Sequence, residues 1–97
     1  MAIAPQSLAA SAPKGECRNL WKMYGLFMRA SIACNFPESN AIRKTLKRLK
    51  AACPLSTEQE ARKDVANGFA QFDKELKQEG HSEACGEMYK FMDAVGR

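Results

Sequence analysis

Ninety-seven residues with 45% hydrophobic side chains and a formal net charge of +4 suit one small globular domain. No stretch approaches the roughly 18–20 apolar residues of a helical membrane span, which excludes an integral helical membrane protein. A helical core of about 80 residues gives only a few kcal/mol from apolar burial alone, so covalent cross-links would matter here. The net charge conceals an asymmetry. Residues 1–50 hold nine Lys/Arg against Glu16 and Glu38, a net of +7, while residues 51–97 hold six against nine acids, a net of −3. Either the first half meets something acidic, or the halves neutralise each other across helix interfaces.

In chain order, Met1–Lys14 is an Ala/Ser/Pro segment without helical or strand period. It lacks the basic and continuous apolar regions of an intact signal peptide but resembles the small-residue stretch around a cleavage site. Residues 1–15 are therefore expected to be a disordered N-terminal tail, with residues 16–97 forming a single helical domain. From Cys17 the pattern is helical: Cys17, Leu20, Tyr24, Phe27, Ser31 and Cys34 step by 3, 4, 3, 4 and 3, widened by Trp21 and Met28. Asn35 and Glu38 have capping-box spacing around Pro37, which predicts a second helix starting almost at once.

That second helix places Ile42, Leu46, Leu49 and Cys53 on one stripe, and Pro54 stops it. Ser56 and Gln59 form another capping-box spacing, followed by acids where the helix dipole favours them. The third helix is predicted from about Thr57 to Glu79 with Ala61, Val65, Phe69, Phe72 and Leu76 inward, ending at Gly80. Ser82 is expected to cap a fourth, whose Cys85, Met88, Met92 and Val95 again step by 3, 4 and 3. No run has period two and no hairpin dipeptide occurs. The fold class is all-α, a small up-down four-helix bundle.

All four cysteines lie on these seams, and geometry selects their pairing. Cys17 and Cys34 stand about 25 Å apart on one helix, too far for a bond that needs Cα atoms within roughly 7 Å. Cys34–Cys53 fails likewise, because it would span most of the second helix. Short connections make successive helices antiparallel, which brings Cys53 back beside Cys17 and Cys85 level with Cys34. Two staples, Cys17–Cys53 and Cys34–Cys85, are expected. No C-x-x-C and no histidine at zinc-ligand spacing point to a metal; four reduced, buried cysteines in a cytosolic bundle are the competing arrangement. The cysteine gaps of 16, 18 and 31 residues match neither twin C-x9-C hairpins nor the saposin-like pattern.

No catalytic constellation can be assembled, so the chain is not expected to be an enzyme, and no cofactor or metal is implied. His81, the one histidine, falls in a turn where a solvated residue is the default. The acids Glu58, Glu60, Asp64, Asp73, Glu75, Glu79, Glu83 and Glu87 are expected to spread over helix surfaces, with no two sharing a cleft. Gly25 and Gly68, near the middles of two helices, cost on the order of 1 kcal/mol each against alanine. They allow a close helix approach, leave room for Trp21 or Phe72, or line a ligand cavity. Met23 and Phe91 fall off their stripes and are expected at the surface.

The strongest functional signal is the second helix's outer face, Arg43, Lys44, Lys47, Arg48 and Lys50. Such a face can lie on anionic lipid, grip phosphates or dock to an acidic protein, unless acids of the third helix neutralise it. Its apolar side is needed for the core, which speaks against membrane insertion. No recognition module or exposed stacking aromatics speak for nucleic acid. The expectation is a small periplasmic or secreted protein that binds an acidic protein partner, as an inhibitor, immunity factor or accessory subunit. The alternative is a cytoplasmic regulatory or nucleic-acid-associated helical protein with reduced cysteines.

Overall fold

A computed structural model describes residues 12–37 and 39–97. These form four helices and no strand: α1 (Lys14–Cys34), α2 (Asn40–Ala52), α3 (Glu58–Glu79) and α4 (His81–Gly96). Residues 1–11 of the expected tail and Glu38 lie outside the described residues. The two disulfides are Cys17–Cys53 and Cys34–Cys85, with Cα separations of 5.8 and 5.7 Å, one at each end of the bundle.

Helices α1 and α3 share the largest interface. They run parallel, since Lys14 Nζ meets Glu60 Oε2 at 2.9 Å at one end and Arg29 Nε meets Asp73 Oδ1 at 2.7 Å at the other. Between these pairs their backbones touch. A Cβ on Gly25 would fall 2.2 Å from the Val65 carbonyl oxygen, and one on Gly68 would fall 2.1 Å from that of Lys22. The neighbouring backbone thus fills the space a ligand would need at this level, and the two glycines serve close approach.

The second and fourth helices cover α1 elsewhere. Cys17–Cys53 and the Arg48–Glu16 pair (3.0 Å) lay α2 antiparallel along the first half of α1. Cys34–Cys85 and the edge-on Phe27–Phe91 contact (centroids 5.6 Å apart) lay α4 along the second half. The pair α2 and α3 barely touch. One core cluster, around fully buried Phe27 and Phe72, gathers Leu26, Ala30, Ala41, Ala84, Met88 and Met92; a smaller one joins Leu20 and Leu49 to the Cys17–Cys53 bridge. Met23, expected at the surface, is instead half-buried and packs against both clusters, because α1 is wrapped on more than one side. Phe91 is 47% exposed, as expected.

Three helix starts differ from expectation. Asn35 adopts the left-handed conformation (φ 55°, ψ 45°) that terminates α1, so it cannot also be the extended residue that opens a helix. Ser39 does that instead, accepting hydrogen bonds from the Ala41 and Ile42 N–H groups at 3.1 and 3.4 Å. Ser56 is drawn into the turn after the disulfide, its N–H bonded to the Cys53 carbonyl at 3.3 Å. The box therefore forms one residue later, with the Thr57 hydroxyl accepting from the Glu60 N–H at 3.0 Å and the Glu60 carboxylate from the Thr57 N–H at 3.1 Å. Ser82 lies inside the first turn of α4. Gly80, at φ 90°, both ends α3 and opens α4, leaving no spacer for a capping side chain.

Alanine at position 25 or 68 would improve intrinsic helix propensity, yet its Cβ would force two backbones apart. Gly25→Ala and Gly68→Ala are each expected to lower the unfolding free energy by roughly 1–3 kcal/mol in urea denaturation. Stabilisation by either would show that α1 and α3 do not touch.

The bridges differ in access: Cys17 and Cys53 are each 7% exposed, whereas Cys34 and Cys85 are half-buried. Mild reductant with alkylation and mass spectrometry should therefore open Cys34–Cys85 first. Complete reduction removes about 3–4 kcal/mol per bridge in the chain-entropy model, comparable with the whole stability of a domain this small. The thermal midpoint should fall by on the order of 20 °C or more. Coincident melting of reduced and oxidised protein would deny the bridges that role.

The Lys14 ammonium, with the Thr57 N–H behind it, pulls the Glu60 carboxyl down to about 2. A depressed folded-state value contributes stability present above the unfolded value, about 4.3, and lost as pH falls through the folded one. Glutamine at position 60 keeps the cap without the charge. The stability difference between wild type and Glu60→Gln should hold constant above about pH 5, shrink as pH falls, and vanish only below the folded value of about 2. A difference that does not shrink between about pH 5 and pH 2 would mean the ion pair is not its source.

Candidate binding surfaces

Helix α2 buries Ala41, Thr45 and Leu49, with Ile42 and Leu46 half-buried at the flanks. The core seam is thus turned slightly from the predicted Ile42–Leu46–Leu49 line, towards α4 at its first turn. The opposite side carries Arg43, Lys44, Lys47, Arg48 and Lys50, all exposed, and α2 contains no acid. Arg43 donates to the Asn40 side-chain oxygen and Lys44 to the Arg97 carbonyl. Arg48 is held by Glu16 at 3.0 Å. Among the described residues, Lys47 and Lys50 meet no hydrogen bond or ion pair.

The first turn of α3 does not neutralise this face. Glu58 pairs with Arg62 at 2.6 Å and Glu60 with Lys14 at 2.9 Å. The charge asymmetry of the two halves is partly cancelled on α1, through Lys14–Glu60 and Arg29–Asp73. On α2 the cations face water because α3 lies on the other side of α1.

The acids are less dispersed than expected. Glu79 and Glu87 face each other across the α3–α4 turn, and a hydrogen bond between their carboxyl groups, with desolvation and the charges of Glu87, Glu75 and Glu83, pushes the Glu79 carboxyl up. Any stability tied to that raised value is present at low pH and lost as pH rises through it. Glu60 and Asp64 line one cleft beside the Cys17–Cys53 bridge, and Asp64 is only 7% exposed. The helical period places Asp64 between Ala61 and Gly68 on the face that α1 covers, which the charge of its side chain disguised.

His81 is exposed but engaged. Its Nε2 lies 2.9 Å from the Ala33 carbonyl, and its ring nitrogens 3.7 and 3.9 Å from Cys85 Sγ. The Ala33 carbonyl is among the last of α1, which have no intrahelical donor once Asn35 turns left-handed. His81 supplies the missing donor and ties the start of α4 to the end of α1. Among the described residues, no three His, Cys, Asp or Glu side chains gather as metal ligands, and no helix is long and apolar enough to cross a membrane. No protein-family model, no curated protein and no solved structure matches this chain.

Proposed function

We propose that this chain is a small exported helical protein, periplasmic or secreted, that works without catalysis by binding an acidic protein through the outer face of α2. Inhibitor, immunity factor and accessory subunit are the roles such a module fills. The observation that carries the reading is the presentation of five exposed cations on a helix with no acid, its opposite side committed to the core. Lys47 and Lys50 supply charge that no described residue of the chain uses. Two disulfides favour an oxidising compartment over the cytoplasmic alternative, in which glutathione and thioredoxin keep thiols reduced.

Lys47→Glu together with Lys50→Glu should leave the fold intact, since exposed substitutions away from caps and core cost within about 0.5 kcal/mol each. Wild type and variant would be immobilised and offered the native exported fraction at low salt. The expected result is an acidic protein captured by wild type, released at moderate salt and lost with the variant, because screening already weakens the wild-type attraction. Equal or stronger binding of wild type to random DNA duplex or anionic vesicles would sink the protein-partner reading. Free thiols at all four cysteines in protein alkylated at the moment of cell lysis would sink export.

A further inference from the structure

We propose that the Cys34–Cys85 bridge is a thiol-exchange site of fixed polarity, at which an external thiol bonds to Cys34 while Cys85 departs beside His81. The co-reactant is a thiol, drawn either from a small molecule of the glutathione class or from a protein dithiol. This site does not rest on the basic face of α2. Both of its cysteines are half-buried, Asn35 and Pro37 next to Cys34 are exposed, and so is His81. Cys17 and Cys53 are each 7% exposed, and the chain's one histidine stands at the other bridge.

The surroundings of the two sulfurs differ, and the difference sets the polarity. In thiol exchange the sulfur whose thiolate is better stabilised leaves faster. His81 Nε2 and Nδ1 lie 3.7 and 3.9 Å from Cys85 Sγ, and a histidinium at that distance favours a thiolate. The ring cannot swing away freely, because Nε2 is held 2.9 Å from the Ala33 carbonyl. Glu83 and Glu87 flank Cys85 at two residues' distance along α4, so they do not share its helix face. Cys34 is the last residue of α1, whose final turn has no basic side chain. The partial negative charge of a helix end opposes a thiolate there.

The exchange balances in two steps. The external thiolate attacks Cys34 Sγ, a new S–S bond forms to Cys34, and the Cys34–Cys85 bond breaks. The electron pair of the broken bond goes to Cys85 Sγ, which takes a proton from protonated His81 and leaves a neutral imidazole. A second thiolate then attacks the external sulfur of the mixed disulfide. It releases Cys34, which takes a proton from water, and the external thiols depart joined as a disulfide. The bridge gains two electrons and the two thiols lose them. Opening unlinks the start of α4 from the end of α1, while Cys17–Cys53 still holds α2 on α1. The product is a one-bridge state.

The oxidised full chain would be mixed with excess reduced glutathione at neutral pH, quenched with acid at early times, alkylated and mapped by proteolysis and mass spectrometry. Glutathione is expected on Cys34 and the alkyl label on Cys85, several-fold more often than the reverse, with Cys17–Cys53 intact. Reduced thioredoxin in a parallel series supplies a protein dithiol. Faster opening by glutathione at equal thiol concentration assigns the site to small thiols, and the reverse order to protein dithiols. His81→Gln keeps a side-chain donor for the Ala33 carbonyl but carries no charge, and it should slow opening several-fold. If His81 served only to tie α4 to α1, its loss would loosen the bridge and speed opening, so the sign of the change separates the two roles. His81→Ala should be slow as well. Glutathione found mainly on Cys85, or on both cysteines equally, would overturn the proposal, and this wild-type result stands even if a His81 variant misfolds. So would opening of Cys17–Cys53 as fast as Cys34–Cys85, or unchanged or faster opening in a folded His81→Gln protein.

Discussion

Two helix backbones can lie in direct contact only where neither puts a side chain between them, and α1 and α3 meet that condition at Gly25 and Gly68. Their separation there leaves no room for a Cβ on either strand of the contact. In an even four-helix bundle the first and third helices sit across a diagonal, kept apart by core side chains. Here the glycines pull that diagonal together, and the parallel pair becomes the spine. The helix-propensity cost of two mid-helix glycines is offset by dispersion contacts along its length and by ion pairs at both ends.

Closing the diagonal displaces the remaining helices. With α3 pressed against α1, there is little shared surface left for α2 and α3, and they barely touch. What fixes α2 is its seam with α1 and α4 and the Cys17–Cys53 bridge at its far end. A helix packed on few sides keeps a broad solvent face, which is why α2 shows five cations to water. Its buried side is not optimal either. The Thr45 hydroxyl is buried without a partner, a cost typically of about 1–3 kcal/mol that the core clusters must outweigh.

Much of this architecture was legible in the residues. Cysteines at seam positions, with one helix between members of each excluded pair, leave a single connectivity, and the bonds form as that elimination requires. Helix number and faces followed from steps of three and four. The misses share a cause. Asn35 and Ser56 have the right side chains for helix starts, but backbone conformation decides which residue caps, and left-handed φ or a preceding turn is invisible in a one-letter string. His81 looked like a solvated turn residue because the carbonyl it serves belongs to Ala33, 48 residues away. Asp64 looked like surface charge because its burial is imposed by α1, whose nearness to α3 depends on the two glycines.

That dependence links the spine to the cleft. Asp64 and Trp21 stand about one turn from the glycine contact on their respective helices, so the approach that removes side chains at Gly25 and Gly68 also buries most of Asp64 and the Trp21 indole N–H. The disulfide works on the same end from the other side. By fixing Cys53 beside Cys17, it holds the Pro54–Leu55 turn over the mouth, where Leu55 remains 85% exposed. A mouth framed by a cross-link and a floor set by backbone contact leave the cleft little freedom to collapse. The same covalent restraint holds the basic helix in place.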